Sequence, residues 1–189
     1  SLRSGSNGRH TLYVVRHGAR EAIEVFEVDA RSGTPSLTWT GCAAAPEGVR
    51  FNSVTALPGQ GFAATHFATP VGRLWEWQPG AGWSEVPGSE WNGPNGLVSS
   101  PDGQWLYIGG WGTNSLVRLS RGQTPVQQDS VDVGFQIDNV RWAPDGTLLA
   151  AGHFWDDDDA LGRCLGQGQC DGVTSRVARV DPERLTAEE

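Results

Sequence analysis

The chain has 189 residues, and its 14 Lys+Arg against 22 Asp+Glu give a formal charge of −8. The basic residues are scattered and outnumbered, which excludes a phosphate-tracking surface and with it a nucleic-acid partner. At 38% apolar and 19% charged residues the composition is that of a globular protein with a real core, and no window approaches the roughly 18 apolar residues of a membrane helix.

No charged-then-apolar signal segment opens the chain. The sequence contains no Met and begins at Ser1, so the natural N-terminus, with any targeting signal, is expected upstream. A periplasmic or secreted location is compatible with this.

With 26 Gly, 11 Pro and 9 Trp, turn-formers are too dense for long helices, and strands joined by tight turns are expected instead. In chain order, 11–15 and 22–28 read as the second and third strands of a unit whose first strand lies at or before the start of the chain. Three similar strings follow, NSVTALPGQGFAAT from Asn52, NGLVSSPDGQWLYI from Asn95 and DNVRWAPDGTLLAA from Asp138. Each reads as a short apolar strand, a Pro-led turn in which Gly supplies positive φ, and a second apolar strand. A third strand of alternating polarity follows each hairpin, at 73–77, 116–119 and 177–180. The last residues, 182–189, are expected to form a helical turn or to fray.

Pro58, Pro101 and Pro144 are 43 residues apart, and so are Asn52, Asn95 and Asp138. A strict period of 43 with about four strands per unit predicts an all-β β-propeller of four-stranded antiparallel blades. The chain holds about four blades, the first and last incomplete, so residues 1–189 read as a single partial propeller domain; a β-sandwich with accidental spacing is the alternative. Between the third strands of the last two units the interval is 61 residues, 18 more than the period. The excess falls on 154–172, expected to be a rim loop. Its acidic run, 156–159, is a surface-cation candidate, although such runs are commonly only solvated. Of the three cysteines, Cys164 and Cys170 could close a small disulfide in an oxidising compartment or stay free in a reducing one, and Cys42 is left over. Their spacing is no zinc pattern.

The first strand of every propeller blade lines the central channel, so Asn52, Asn95 and Asp138 are expected to face one another across it, with Asn139 beside the last. Two amide oxygens and a carboxylate converging on an axis are hard donors of the kind calcium prefers. Local backbone capping explains one such residue, but three in register favour the channel. His17, His66 and His153 each follow a second strand and lead to one rim. His17 and His153 are placed at the channel mouth, where a neutral imidazole near a metal can activate water as a general base.

The segments VVRHGAREAIEVFEVD, FNSVTAL, NGPNGLVSSPDGQWLYIGG and QIDNVRWAPDGTLLAAGH resemble the paraoxonase/arylesterase group, kin of the senescence-marker-protein/gluconolactonase and strictosidine-synthase-like propellers. That resemblance implies a six-bladed ring, a catalytic calcium in its channel, and hydrolysis of lactones or esters as small-molecule substrates. It carries the metal ligands onto Asn52, Asn95, Asp138 and Asn139, a catalytic histidine onto His17 and a substrate-pocket histidine onto His153. Two of the group's residues, a glutamate ligand and a histidine, correspond to positions upstream of Ser1, so residues 1–189 are expected to be an incomplete portion of such a hydrolase and a poor enzyme alone. Ser53 stands where the group has an aspartate serving a second, structural calcium. The readings left open are a calcium-dependent hydrolase, a strictosidine-synthase-like condensation enzyme, which needs a channel glutamate, and a non-catalytic binding scaffold. Nine Trp could supply a partner surface for the last, but Trp75, Trp77, Trp105 and Trp142 fall inside strands and are expected in the core.

Overall fold

The computed structural model describes residues 1–155, 157 and 159–188. Four four-stranded antiparallel sheets follow one another along the chain, each a meander. The first consists of β1 (Leu2–Arg3), β2 (Arg9–Arg16), β3 (Ala22–Asp29) and β4 (Ser36–Ala44). The second consists of β5 (Phe51–Ala56), β6 (Phe62–His66), β7 (Arg73–Gln78) and β8 (Gly82–Glu85). The third takes β9 (Pro94–Ser99), β10 (Trp105–Gly110), β11 (Ser115–Ser120) and β12 (Gln128–Asp132), and the fourth β13 (Gln136–Trp142), β14 (Leu148–Trp155), β15 (Val173–Val180) and β16 (Ala187–Glu188). This is the expected propeller architecture, with β1, β5, β9 and β13 as first strands, except that the first and last blades, expected to be incomplete, each have four strands because the two-residue strands β1 and β16 complete them.

Blades 2 and 3 are each sandwiched between two neighbours and blades 1 and 4 each pack on one, and the core is accordingly divided into three layers. Tyr13, Ile23, Phe51 and Phe62 fill the space between blades 1 and 2. Leu74, Leu97, Leu106 and Leu119 fill that between blades 2 and 3, and Tyr107, Phe135, Ile137 and Val180 that between blades 3 and 4. Trp75 and Trp77 pack against the first layer and Trp105 and Trp142 against the third, as the strand pattern predicts.

The 43-residue period reappears as bonding between blades. Ser99 Oγ donates to the carbonyl of Ala56 at 2.9 Å, and Trp142 Nε1 donates to the carbonyl of Ser99 at 2.8 Å. The inner strands therefore run side by side in register, which carries one residue from each blade to the same height in the channel. The turns follow the repeat as well. Asp102 and Asp145 each accept from the backbone N–H two residues on, at 3.0 and 3.1 Å, ahead of which Gly103 and Gly146 take φ of 70° and 85°.

Two sequence expectations need correction. The last residues do not fray and do more than form a helical turn: a single turn after Asp181 is closed by the N–H of Leu185 on the Asp181 carbonyl at 3.0 Å, and Ala187 then pairs with Val180 as the outermost strand of blade 4. The inserted segment is not all loop, because β14 runs on to Trp155, paired with Val173, and α1 (Ala160–Gln167) follows. Gly168 ends this helix in the left-handed conformation, its N–H bonded to the carbonyl of Cys164 at 3.0 Å. Cys164 and Cys170 are joined in a disulfide, which staples a glycine-rich helix of low intrinsic propensity. Asp156 and Asp158, half of the acidic run, lie outside the described residues. Asp157 is committed to Arg163 at 2.5 Å.

Candidate functional site

Asn52, Asn95 and Asp138 each sit at a β-bulge of an inner strand. Between Phe51 and Val54 the strand β5 carries one residue more than its partner β6. The same holds for β9 between Pro94 and Leu97, and for β13 between Ile137 and Asn139. A bulge re-aims a side chain and locally ends regular pairing, so three equivalent bulges turn three polar side chains toward one another. Asn52 Nδ2 donates to Asn95 Oδ1, Asn95 Nδ2 donates to Asp138 Oδ1 at 2.9 Å, and Asn139 Nδ2 donates to Asp138 Oδ2 at 2.9 Å. Asn95, at the middle of this row, is 5% exposed. Thr65 holds its backbone by donating to the Asn95 carbonyl at 2.8 Å.

The row divides the channel into two cavities of about 400 Å³ each. The mouth cavity is walled by His17, Arg50, Phe51, Phe67 and Trp111, with Asn52, Asn95 and Asp138 at its base. The inner cavity is lined by all four of Asn52, Asn95, Asp138 and Asn139, together with Ser53 and Arg141. The donor set fits a hard cation: every candidate ligand atom is an oxygen, and Asn95 Oδ1 has a second lone pair beyond the bond from Asn52. The single carboxylate and the nearby Arg141 place such a site at the weak end of calcium affinity. Among the described residues no group of three or more His, Cys, Asp or Glu gathers at one place, so a histidine- or thiolate-based metal site has no ligands here.

The three histidines separate. Glu21 holds His17 at the mouth, its carboxylate 2.8 and 3.1 Å from His17 Nδ1, and Glu21 also lies 3.8 Å from Arg50 Nε. A carboxylate against Nδ1 fixes the proton there and leaves Nε2 as the acceptor. His153 packs against the Trp111 ring at 5.6 Å, and Trp111, not His153, lines the cavity. The His153 Nδ1 is buried and has no hydrogen-bond partner among the described residues. His66 is taken up by the backbone of Arg50, whose N–H lies 3.0 Å from its Nδ1.

Sequence reasoning missed Glu21, whose only signal is its position four residues after His17. Phe67 and Trp111 were missed too, because each lies just beyond a strand where no periodicity marks it.

Among solved structures, the chain is similar to a hydrazine synthase of Kuenenia stuttgartiensis, with 16% identity over 94% of this chain and 57% of that one and a TM-score of 0.58. It is similar to a luciferin-regenerating enzyme, with 16% identity over 99% and 59% of the two chains and a TM-score of 0.55. A protein designated a candidate gluconolactonase matches with 18% identity over 80% and 56% and a TM-score of 0.52. The chain thus spans under three fifths of the length of these structures. No protein-family model matches it, and no curated protein does. At these identities the likeness is one of fold, and it agrees with the propeller read from the repeat.

Proposed function

We propose that the chain carries the metal and substrate sites of a calcium-dependent hydrolase of lactones or esters. The observation that supports this most is the row of inner-strand oxygens, each turned inward by an equivalent bulge, at the base of a cavity with aromatic walls. Asn52, Asn95, Asp138 and Asn139 would hold the ion, and when bound, calcium supplies polarisation of the substrate carbonyl and compensation of the oxyanion charge. His17, with its Nδ1 engaged by Glu21, takes the proton of the attacking water at Nε2 and returns it to the leaving alkoxide. Phe51, Phe67 and Trp111 hold the acyl portion and keep bulk water away from the reacting carbonyl. A gluconolactonase-designated neighbour of the same fold agrees with a lactone substrate.

A second reading has its own support. The bonds among Asn52, Asn95, Asp138 and Asn139 make a ladder that ties inner strands together, which is all that a non-catalytic scaffold requires. Turnover of γ- and δ-lactones and of phenyl acetate by the full-length protein, measured with millimolar calcium and again with chelator, separates the two. The hydrolase reading expects calcium-dependent turnover that falls by about 10²–10⁴-fold in His17→Gln. No turnover above buffer, or turnover indifferent to chelator, supports the scaffold.

A further inference from the structure

A second cleft, at the other end of β5 from Asn52, is larger than the channel mouth at about 640 Å³. It opens between blades 1 and 2. In β4, Gly41 pairs with Val25 while Trp39 pairs with Phe26, so Thr40 is an extra residue that bends this outermost strand. Half-buried Trp77 gives the cleft its aromatic surface, with Phe62 stacked behind it at 5.1 Å and 12° and Tyr13 5.0 Å from Phe62, both in the buried core. Arg3 closes one side. Its guanidinium sits over the Tyr13 ring at 5.0 Å, and its Nη2 donates to the carbonyls of Leu57 and Gly61 at 3.0 and 2.5 Å.

These two bonds and a further one to the Tyr13 side chain leave two of the five N–H donors of the guanidinium. Arg9, Arg16, Arg20, Arg31 and Arg73 all pair with carboxylates, whereas no carboxylate among the described residues pairs with Arg3. No acidic side chain lines the cleft, although the chain carries eight more acidic than basic residues. A half-buried cation with spare donors, backed by flat aromatic surface and screened from the acidic exterior, suits an anion attached to a flat ring. The volume is in the range of small-molecule sites.

We propose that this inter-blade cleft binds a small planar aromatic carboxylate, the ring against Trp77 and the carboxylate on Arg3. The site is separate from the channel and does not depend on the chemistry proposed there.

Cys42 makes the proposal testable, because it is exposed and lines the cleft wall while the other two cysteines are joined to each other. The rate of Cys42 alkylation by a maleimide is followed as 2-naphthoate is added to the intact chain. Saturable protection is expected, with the uncharged 2-naphthalenemethanol weaker by about tenfold or more, as expected for loss of a hydrogen bond to a charged group. Arg3→Gln should weaken naphthoate protection by the same factor. Thr40→Trp, which fills the cleft from the exposed edge strand and leaves Arg3 in place, should remove saturable protection even if the Arg3 variant does not fold. Absence of saturable protection by naphthoate, equal protection by the alcohol, or full naphthoate protection in a folded Thr40→Trp protein would each overturn the proposal.

Discussion

Gly96 follows the central site residue Asn95 on the inner strand of blade 3, directly against the inner strand of blade 4. A Cβ built on it would stand 2.6 Å from the backbone N of Val140 and 2.8 Å from the Cα and carbonyl carbon of Asn139. None of these atoms can rotate away as a side chain does. Relief to ordinary contact, which begins at 3.4 Å, requires β9 and β13 to part by about 0.8 Å, the scale at which packed cores resist insertion. Such a shift stretches the bond between Asn95 and Asp138, now 2.9 Å, beyond hydrogen-bonding range. Gly96→Ala is therefore expected to cost about 1–3 kcal/mol by overpacking, and about 2–4 °C of melting temperature per kcal/mol in a chain of this size. Equilibrium urea unfolding measures it. Gly162→Ala is the control, because that helical glycine has no heavy atom within 4 Å of its Cβ position; it should be neutral or up to about 1 kcal/mol stabilising. If Gly96→Ala unfolds at the same urea concentration as Gly162→Ala, the inner strands are not packed as described.

Further outcomes follow from charges and from the insertion. Glu24 is held at a pKa of about 2 by hydrogen bonds from Arg20, Trp39 and Arg16, against an ordinary 4.5. Because the folded value is the lower one, its contribution is complete above about pH 4.5 and is lost as pH falls toward 2. The urea midpoint should drop over that window, and Glu24→Gln should flatten the drop. For Glu76, burial raises the pKa but hydrogen bonds from Arg121 and Gln78 outweigh it, leaving it lowered. Arg121, at 2.5 Å, joins blade 3 to this blade 2 carboxylate. Arg121→Met should cost about 1–2 kcal/mol at neutral pH, since the pair is partly shielded from solvent, and the deficit should shrink as pH falls through the carboxylate range. Replacing Cys164 and Cys170 together by Ser should loosen α1 in hydrogen exchange while the exchange of β9, β10 and β13 stays unchanged, because the helix packs chiefly on β15.

The blades and their inner strands were legible because Asn52, Asn95 and Asp138 recur at one interval together with their prolines. A propeller turns that interval directly into spatial neighbourhood, as the Ala56–Ser99–Trp142 bonds show. The bulges at these residues were not legible. An extra residue in one strand is defined only against its partner, and no residue type marks it. His153 illustrates the same limit: sequence places it at the end of β14, but whether it or Trp111 reaches the cavity depends on packing between blades 3 and 4. Short elements were misread where tertiary restraint overrides local propensity, as in α1, stapled by its disulfide, and in Ala187–Glu188, too short to signal a strand without Val180 to pair with. The cleft beside Arg3 left no trace in the sequence, since its walls come from two blades and its opening from the bulge at Thr40.

The central claim is that the inner-strand oxygens bind calcium, and titration calorimetry of calcium into the chelator-stripped full-length protein tests it most directly. With one carboxylate in the set, the expected dissociation constant is about 10⁻⁴–10⁻³ M. The heat should vanish in Asp138→Asn, which keeps the side-chain shape and removes the charge. Calcium binding undiminished in Asp138→Asn, or no binding by the wild-type chain at millimolar calcium, would contradict the account.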